Sequence, residues 1–428
     1  MHSYQEMDSV ELKAELVALK ARFDEIIGLK LSLDMTRGKP CKEQLDLARD
    51  MLAILKPGDV FSEDGSDCRN YGVPLGIKEV REFFARMLGT TAGHVIAGNN
   101  SSLNLMFDTL MRSLVFGEIE SERPWLKEEK LKWLCPVPGY DRHFLVTQTL
   151  GFELIPVPLN ENGPDMELVE KLVAEDASIK GMWCMPLYSN PDGFIYSPEV
   201  CRRLASMKTA AADFRILWDN AYVVHHLYDD QRGSLPDILA LCEEEGHPNR
   251  VYEFASTSKV TLAGSGISCI AANKDNFERT KKYLSVQTIG PDKINELRHI
   301  RYIPDEMALQ EVMRRQASLI RPKFDATLSI LASELDGTGI AKWNKPLGGY
   351  FVSLHVYPGT ARKVVALAKE AGVALTPAGA TYPYGKDPQD ANIRIAPTFP
   401  GIEDVKKAIS VLCVCAKIAA VEKRLEEM

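Results

Sequence analysis

An α/β fold is what this sequence predicts, with a mostly parallel sheet in a large domain and a smaller α+β domain after it. Three observations carry that expectation. From about residue 75, seven short apolar runs alternate with helical stretches such as Ile77 to Leu88 and Leu103 to Val115. The runs are Val95 to Ala97, Trp133 to Val137, Leu154 to Val157, Gly181 to Met185, Ile216 to Trp218, Val251 to Phe254 and Ile267 to Ala271. Parallel strands need a crossover long enough to hold a helix, so this alternation reads as βαβ units. Next, a long helical region from about Asp305 to Leu335 sets off a different pattern: Tyr350 to Val356, Val373 to Thr376, Ile393 to Ala396 and a last helix from about Ile402 to Glu426. Finally, 428 residues that are 45% hydrophobic and 26% charged suffice for a large core and are ordinary for a globular enzyme.

At the N-terminus, Asp8 and Glu11 form a capping pair for a first helix. Its apolar residues Leu12, Leu16, Leu19, Phe23 and Ile26 recur at helical spacing until Gly28. A short strand is expected from Leu29 to Leu33, running into the loop Thr36-Arg37-Gly38-Lys39-Pro40. The charged stretch Glu118 to Lys132 reads as a solvated excursion, and there is no internal repeat or low-complexity tract.

A formal net charge of -8 argues against nonspecific nucleic-acid binding, which draws on basic patches. Nine cysteines scattered from Cys41 to Cys415 do not form a disulfide framework and point to a reducing cytoplasm. No Cys or His cluster has zinc-ligand spacing, so no metal is expected. Met1 to Glu6 lacks the basic and apolar regions of a leader, and no apolar run is long enough to span a bilayer.

Chemistry is concentrated where the strands end, the side on which open α/β sheets bind ligands. Lys259 follows the strand of Val251 within Ser256-Thr257-Ser258-Lys259. An amine the fold can desolvate, beside hydroxyl donors for a phosphate, is what an aldehyde cofactor needs. Gly98-Asn99-Asn100-Ser101-Ser102 opens the helix of Leu103 and offers N–H groups to an anion. Pro138-Gly139-Tyr140 presents a ring for stacking, and Asn190-Pro191-Asp192-Gly193 ends another strand. Asp219, at the end of Ile216-Leu217-Trp218, needs a partner for its charge, and a protonated ring nitrogen would be one.

In this order the motifs resemble those of the fold-type-I, pyridoxal-phosphate-dependent aminotransferases of class I/II. Gly38-Lys39-Pro40, Tyr71 with Gly76, Asp219-Asn220-Ala221-Tyr222, Gly348-Gly349-Tyr350-Phe351 and Arg394 extend the resemblance over nearly the whole chain. It implies a seven-stranded, mostly parallel sheet in residues 51–315, a C-terminal small domain in 316–428, and an N-terminal arm in 1–50 that contributes to the small domain. It also implies a pyridoxal 5'-phosphate Schiff base on Lys259 and an Asp219 carboxylate against the pyridine nitrogen. Asn190 and Tyr222 would bind the phenolic oxygen, and Tyr140 would stack on the ring. Asn99, Asn100, Ser101, Ser256 and Ser258 would surround the phosphate, with Tyr71 reaching it from the partner of a homodimer with shared sites. His143 would support Asp219 from behind. Arg394 would hold the substrate α-carboxylate through a bidentate pair, near Gly38 and Asn190.

Many class I members carry an arginine eight residues after the lysine, whereas Val260 to Ile267 has no basic residue. With Asp34 to Pro40, Asn99 to Ser102 and Gln287 to Lys293, this resembles a less common bacterial branch of aspartate aminotransferases. The expected reaction is amino transfer between L-aspartate and 2-oxoglutarate. Arg37 is the candidate for the distal carboxylate, with Arg69 and Lys293 behind it. The same residues would serve an aminotransferase for 2-aminoadipate or kynurenine, or a pyridoxal-phosphate β-lyase or decarboxylase. A regulatory sensor would need a DNA-binding module, and only 37 residues precede Gly38.

Overall fold

The computed structural model describes residues 3–428, so Met1 and His2, the start of the segment read for a leader, lie outside the described residues. Seven strands form one sheet in the order Val95–Gly98, Ser268–Ala271, Val251–Ser256, Arg215–Asp219, Ile179–Cys184, Lys132–Val137 and Glu153–Asn160. The two-residue strand Gly163–Pro164 adds a short hairpin at one edge. Ser268–Ala271 runs antiparallel to both its neighbours, and the remaining pairs among the seven are parallel. The central strands are buried along their whole length apart from the half-buried Lys132 at the start of one, which is why they read as continuous apolar runs rather than alternating ones. One buried cluster, with Phe84, Ile216 and Val251, packs one face of the sheet; another, with Trp133, Trp183 and Tyr252, packs the other.

A third cluster joins chain ends that are far apart in sequence. Helix Ser9–Gly28 begins with the expected capping box: Asp8 Oδ1 accepts from the Val10 and Glu11 N–H groups, and Glu11 Oε2 accepts from the Asp8 N–H. Its buried residues Leu12, Leu19 and Phe23 face the long helix Ile402–Glu427, which is buried on all sides from Val411 to Val421. The strand expected at Leu29 to Leu33 lies later, at Leu33–Met35, where it pairs in parallel with Val373–Leu375. Local propensity could not place it, because its hydrogen-bonding partner is 340 residues away in Leu33↔Val373 register. Ala341–Trp343, Val352–Val356 and Asn392–Ile395 form a separate antiparallel sheet that carries Arg394.

The excursion Glu118 to Lys132 is not simply solvated. Trp125 is fully buried and donates its indole N–H to Asp213 at 2.8 Å, and Asp213 pairs with Lys180 at 2.9 Å. Glu118 is buried, accepts from Tyr252 at 2.9 Å and sits 3.3 Å from the Arg215 guanidinium. A buried charge survives only when paired and hydrogen-bonded, so this largely exposed stretch is anchored to the large domain through Glu118 and Trp125.

Candidate active site

A cavity of about 670 Å³ opens where the strands end, between the large sheet and the small antiparallel one. Ser101, Tyr140, Asn190, Asp219, Tyr222, Ser256, Ser258, Lys259 and Arg394 all line it, as do Arg37 and Gly38. They come from separate strand ends and from the N-terminal loop, so only the tertiary fold brings them together.

Lys259 forms part of the cavity floor. Its Nζ lies 4.9 Å from the centroid of the Tyr222 ring and 5.6 Å from that of Tyr350. The two rings stack, with centroids 5.8 Å apart. Burial lowers the Lys259 pKa from its usual range, and the Asp219 charge opposes this only in part. Desolvation therefore favours the neutral amine relative to a solvated lysine. His225 packs edge-on against both tyrosines, and burial pushes its pKa down to about 3, so no second positive charge stands behind the amine. Tyr350 Oη accepts from Gln44 Nε2 at 2.9 Å, and Gln316 links Gln44 to the Val260 carbonyl. The backbone beside Lys259 is thus held by the N-terminal segment and by the helix Glu306–Leu335.

Asp219 is buried at the end of its strand. Its Oδ2 lies 2.9 Å from His143 Nε2, and the His143 ring stacks on Trp183 at 4.2 Å. Its Oδ1 is buried and has no protein partner. An unmet buried acceptor costs about 1–3 kcal/mol, more when charged, so the site is suited to an N–H donor from a ring above it. Tyr140 stands at the same end, its pKa pushed up to about 12 chiefly by burial and then by Asp219. Burial also raises Tyr222 well above the ordinary value, so both phenols stay protonated donors.

Helix Ser102–Phe116 begins after Ser101 with no side-chain cap, leaving its first N–H groups to the cavity. The Ser256 hydroxyl donates to Ser258 at 3.1 Å, and Ser258 to the Asn100 carbonyl at 3.3 Å. This is a phosphate-sized cup of dipoles, and the donor set fits the pyridoxal phosphate expected from the sequence. Asn99 and Asn100 line an adjoining depression of about 340 Å³. Asn99 Oδ1 accepts from the Asp292 N–H at 3.2 Å rather than turning into the main cavity. Tyr71 is 83% exposed and lies outside the main cavity.

Arg394 enters from the small antiparallel sheet, buried, with its guanidinium carbon 5.0 Å from the Phe351 ring centroid. Gly38 permits that arrangement, since a Cβ there would lie 2.4 Å from the Phe351 ring. Arg37 is exposed at the rim. The two reserve candidates are engaged elsewhere: Arg69 chelates Asp67 at 2.9 and 2.6 Å, and Lys293 Nζ donates to the Gly72 carbonyl at 3.0 Å. Sequence reasoning passed over Asp141, Arg142, His225, Thr376 and Pro377. Asp141 and Arg142 follow Tyr140 directly and could have been weighed with it, whereas Thr376 and Pro377 carry no local signal. Among the described residues no His, Cys, Asp and Glu cluster could hold a metal ion.

A family profile described as Aspartate amino-transferase matches residues 7–428. A protein from Corynebacterium glutamicum named aspartate aminotransferase is 47% identical over 430 residues, covering 99% of each chain. One from Mycolicibacterium smegmatis, named as an aminotransferase, is 48% identical over 425 residues, again covering 99% of each. The crystal structure of an aspartate transaminase from Corynebacterium glutamicum superposes with a TM-score of 0.96, covering 98% of this chain and 99% of that one. A more distant likeness, of fold alone, is to the α-aminoadipate aminotransferase LysN of Thermus thermophilus, complexed with N-(5'-phosphopyridoxyl)-L-leucine, at a TM-score of 0.73 and 20% identity.

Proposed function

The chain belongs to the aspartate aminotransferase family and is a pyridoxal-phosphate-dependent transaminase of fold type I, and from that premise we propose that it exchanges an amino group between L-aspartate and 2-oxoglutarate. The observation that carries the chemistry is the pairing, in one cavity, of a lysine amine depressed by burial with a buried carboxylate oxygen that has no protein partner. The full-length likeness to a protein named aspartate aminotransferase supports the substrate.

When bound, the cofactor supplies the electron sink that makes the substrate Cα–H acidic. Lys259 would hold it through its amine, and Nζ would serve as the base that moves the proton at substrate Cα. Asp219 Oδ1, which has no protein partner, would keep the ring nitrogen protonated, with His143 fixing the carboxylate through Oδ2. Tyr222 and Asn190 would bind the phenolic oxygen, Tyr140 would cover the ring, and Ser101, Ser256 and Ser258 with the helix N-terminus would hold the phosphate. Arg394 binds the α-carboxylate. Arg37, at the rim beside Gly38, binds the distal carboxylate, which suits a four-carbon dicarboxylic amino acid.

The active form in this reading is a cytoplasmic homodimer in which Tyr71 completes the partner's phosphate site, while the Asn99–Asn100 turn borders the phosphate site of its own chain. The exposure of Tyr71 supports the first point, and nine cysteines that are all free and buried support a reducing compartment. No helix among the described residues is long and apolar enough to cross a membrane. The chain divides into an arm at 1–50, a large domain at 51–315 and a small domain at 316–428, a division supported by the separate buried clusters of the large sheet and of the chain ends.

Two measurements test the substrate. Aspartate should bleach the absorbance of the bound aldehyde and 2-oxoglutarate should restore it; a bleach that only pyruvate or an aromatic 2-oxo acid reverses would reject the assignment. Arg37→Ala should lower kcat/KM for aspartate and glutamate by ~10²-fold while sparing alanine, the loss expected when a charged contact to one carboxylate disappears. Equal loss for all three amino acids would return Arg37 to a structural role.

A further inference from the structure

Asp141 opens the helix Asp141–Thr149 directly after Tyr140, and its Oδ1 accepts from Arg394 Nη1 at 2.8 Å. Asn190 Oδ1 accepts from the same nitrogen at 3.4 Å. Both of these acceptors thus fall on one corner of the guanidinium. The opposite corner differs: Arg394 Nε is buried and has no partner.

A guanidinium offers a carboxylate two bidentate edges, the end formed by Nη1 and Nη2 and the side formed by Nε and Nη2. With Nη1 committed, the side edge is the one left over, and its buried Nε is a donor left at a cost until something accepts from it. A second carboxylate can share the guanidinium because the Asp141 side chain is 28% exposed and its charge is partly screened, while that of Arg394 is only 7% exposed.

We propose that Asp141 is a positioning residue for substrate recognition: by holding Nη1 it presents the Nε–Nη2 edge of Arg394 to the α-carboxylate, which binds beside Asp141 instead of displacing it. This rests on the reading of Arg394 as the α-carboxylate ligand. Every amino acid and every 2-oxo acid carries that carboxylate, so the effect of Asp141 falls on binding and is the same for donor and acceptor.

The test uses the pyridoxal-phosphate-loaded enzyme and compares Asp141→Ala, Asp141→Asn and Arg394→Lys in both half-reactions. Asp141→Ala frees Nη1 and should raise KM ~30-fold for aspartate and for 2-oxoglutarate alike, with kcat within ~3-fold of the parent. Asp141→Asn keeps an acceptor oxygen without the charge and should recover most of the loss, leaving KM ~3-fold high; if the alanine variant does not fold, that rise with unchanged kcat is the criterion. A KM that falls would make Asp141 a competitor of the substrate, and one that stays constant would make the contact idle; either overturns the proposal. A loss confined to kcat would also reject it. Arg394→Lys separates the two levels: if it leaves KM unchanged, the role of Arg394 itself is wrong, whereas a raised KM there with no effect of Asp141 removes only this inference.

Discussion

Lys259 and Asp219 illustrate how much a single residue's surroundings decide. The motif around Lys259 singles the residue out, but its lowered pKa comes from burial in a cavity whose walls, the Tyr222 and Tyr350 rings among them, are contributed by different parts of the chain. Asp219 likewise stands in a recognisable motif, while its orientation depends on His143, 76 residues earlier, and on Trp183 stacked behind that ring. Asp219→Ala is expected to leave a folded protein, because the removed carboxylate has only one protein partner and relieves an unmet acceptor. Cofactor affinity should fall by roughly 10–100-fold, equivalent to a lost charge-assisted hydrogen bond of ~1.5–3 kcal/mol, with a larger loss of turnover. Equilibrium dialysis of the cofactor checks the first figure, and near-parental affinity would remove Asp219 from the ring nitrogen.

At the scale of elements, the seven strands were legible because buried parallel strands are short, apolar and regularly spaced. Their ends were less so, and in the excursion Glu118 to Lys132, largely solvated as expected, the burial of Glu118 and Trp125 was not legible because composition does not reveal which groups find buried partners. Helix Lys293–Tyr302 holds a comparable hidden feature. Its Glu296 is buried under Gly76, with Oε2 accepting from the Ile77 N–H at 2.9 Å and Oε1 unpartnered. Burial pushes its pKa up to about 8 from 4.5. The folded protein therefore keeps this proton between those values while the unfolded chain releases it, so raising the pH through that window favours unfolding. The contribution is fully present below 4.5, declines as pH rises and is gone above about 8. Glu296→Gln should remove a decline of about 1.4 kcal/mol per pH unit inside the window, and the variant should gain stability on the parent as the pH rises. Denaturant melts at several pH values measure this; parallel curves for the two proteins would show that Glu296 does not titrate there.

For the whole molecule, the proposed dimer predicts complementation. A Tyr71→Ala chain and a Lys259→Ala chain should each give a poorly active or inactive homodimer. Mixed during refolding, half the dimers are hybrids in which one site has Lys259 from one chain and Tyr71 from the other, so roughly a quarter of parental activity should return. Absence of recovery in a verified hybrid would place Tyr71 in its own subunit's site or in none. By itself the sequence determined the fold class and the strands that end in polar motifs, and it singled out Lys259, Asp219 and Arg394 as candidates, because apolar periodicity and short motifs are local and survive in a linear string. Tertiary structure alone decided that Leu33–Met35 pairs with Val373–Leu375, that Gly38 makes room for Phe351 behind Arg394, and that Asp141 and Asn190 occupy one corner of its guanidinium. Each of these depends on residues separated by tens to hundreds of positions, and packing distance, burial and hydrogen-bond direction come into being only when the chain folds.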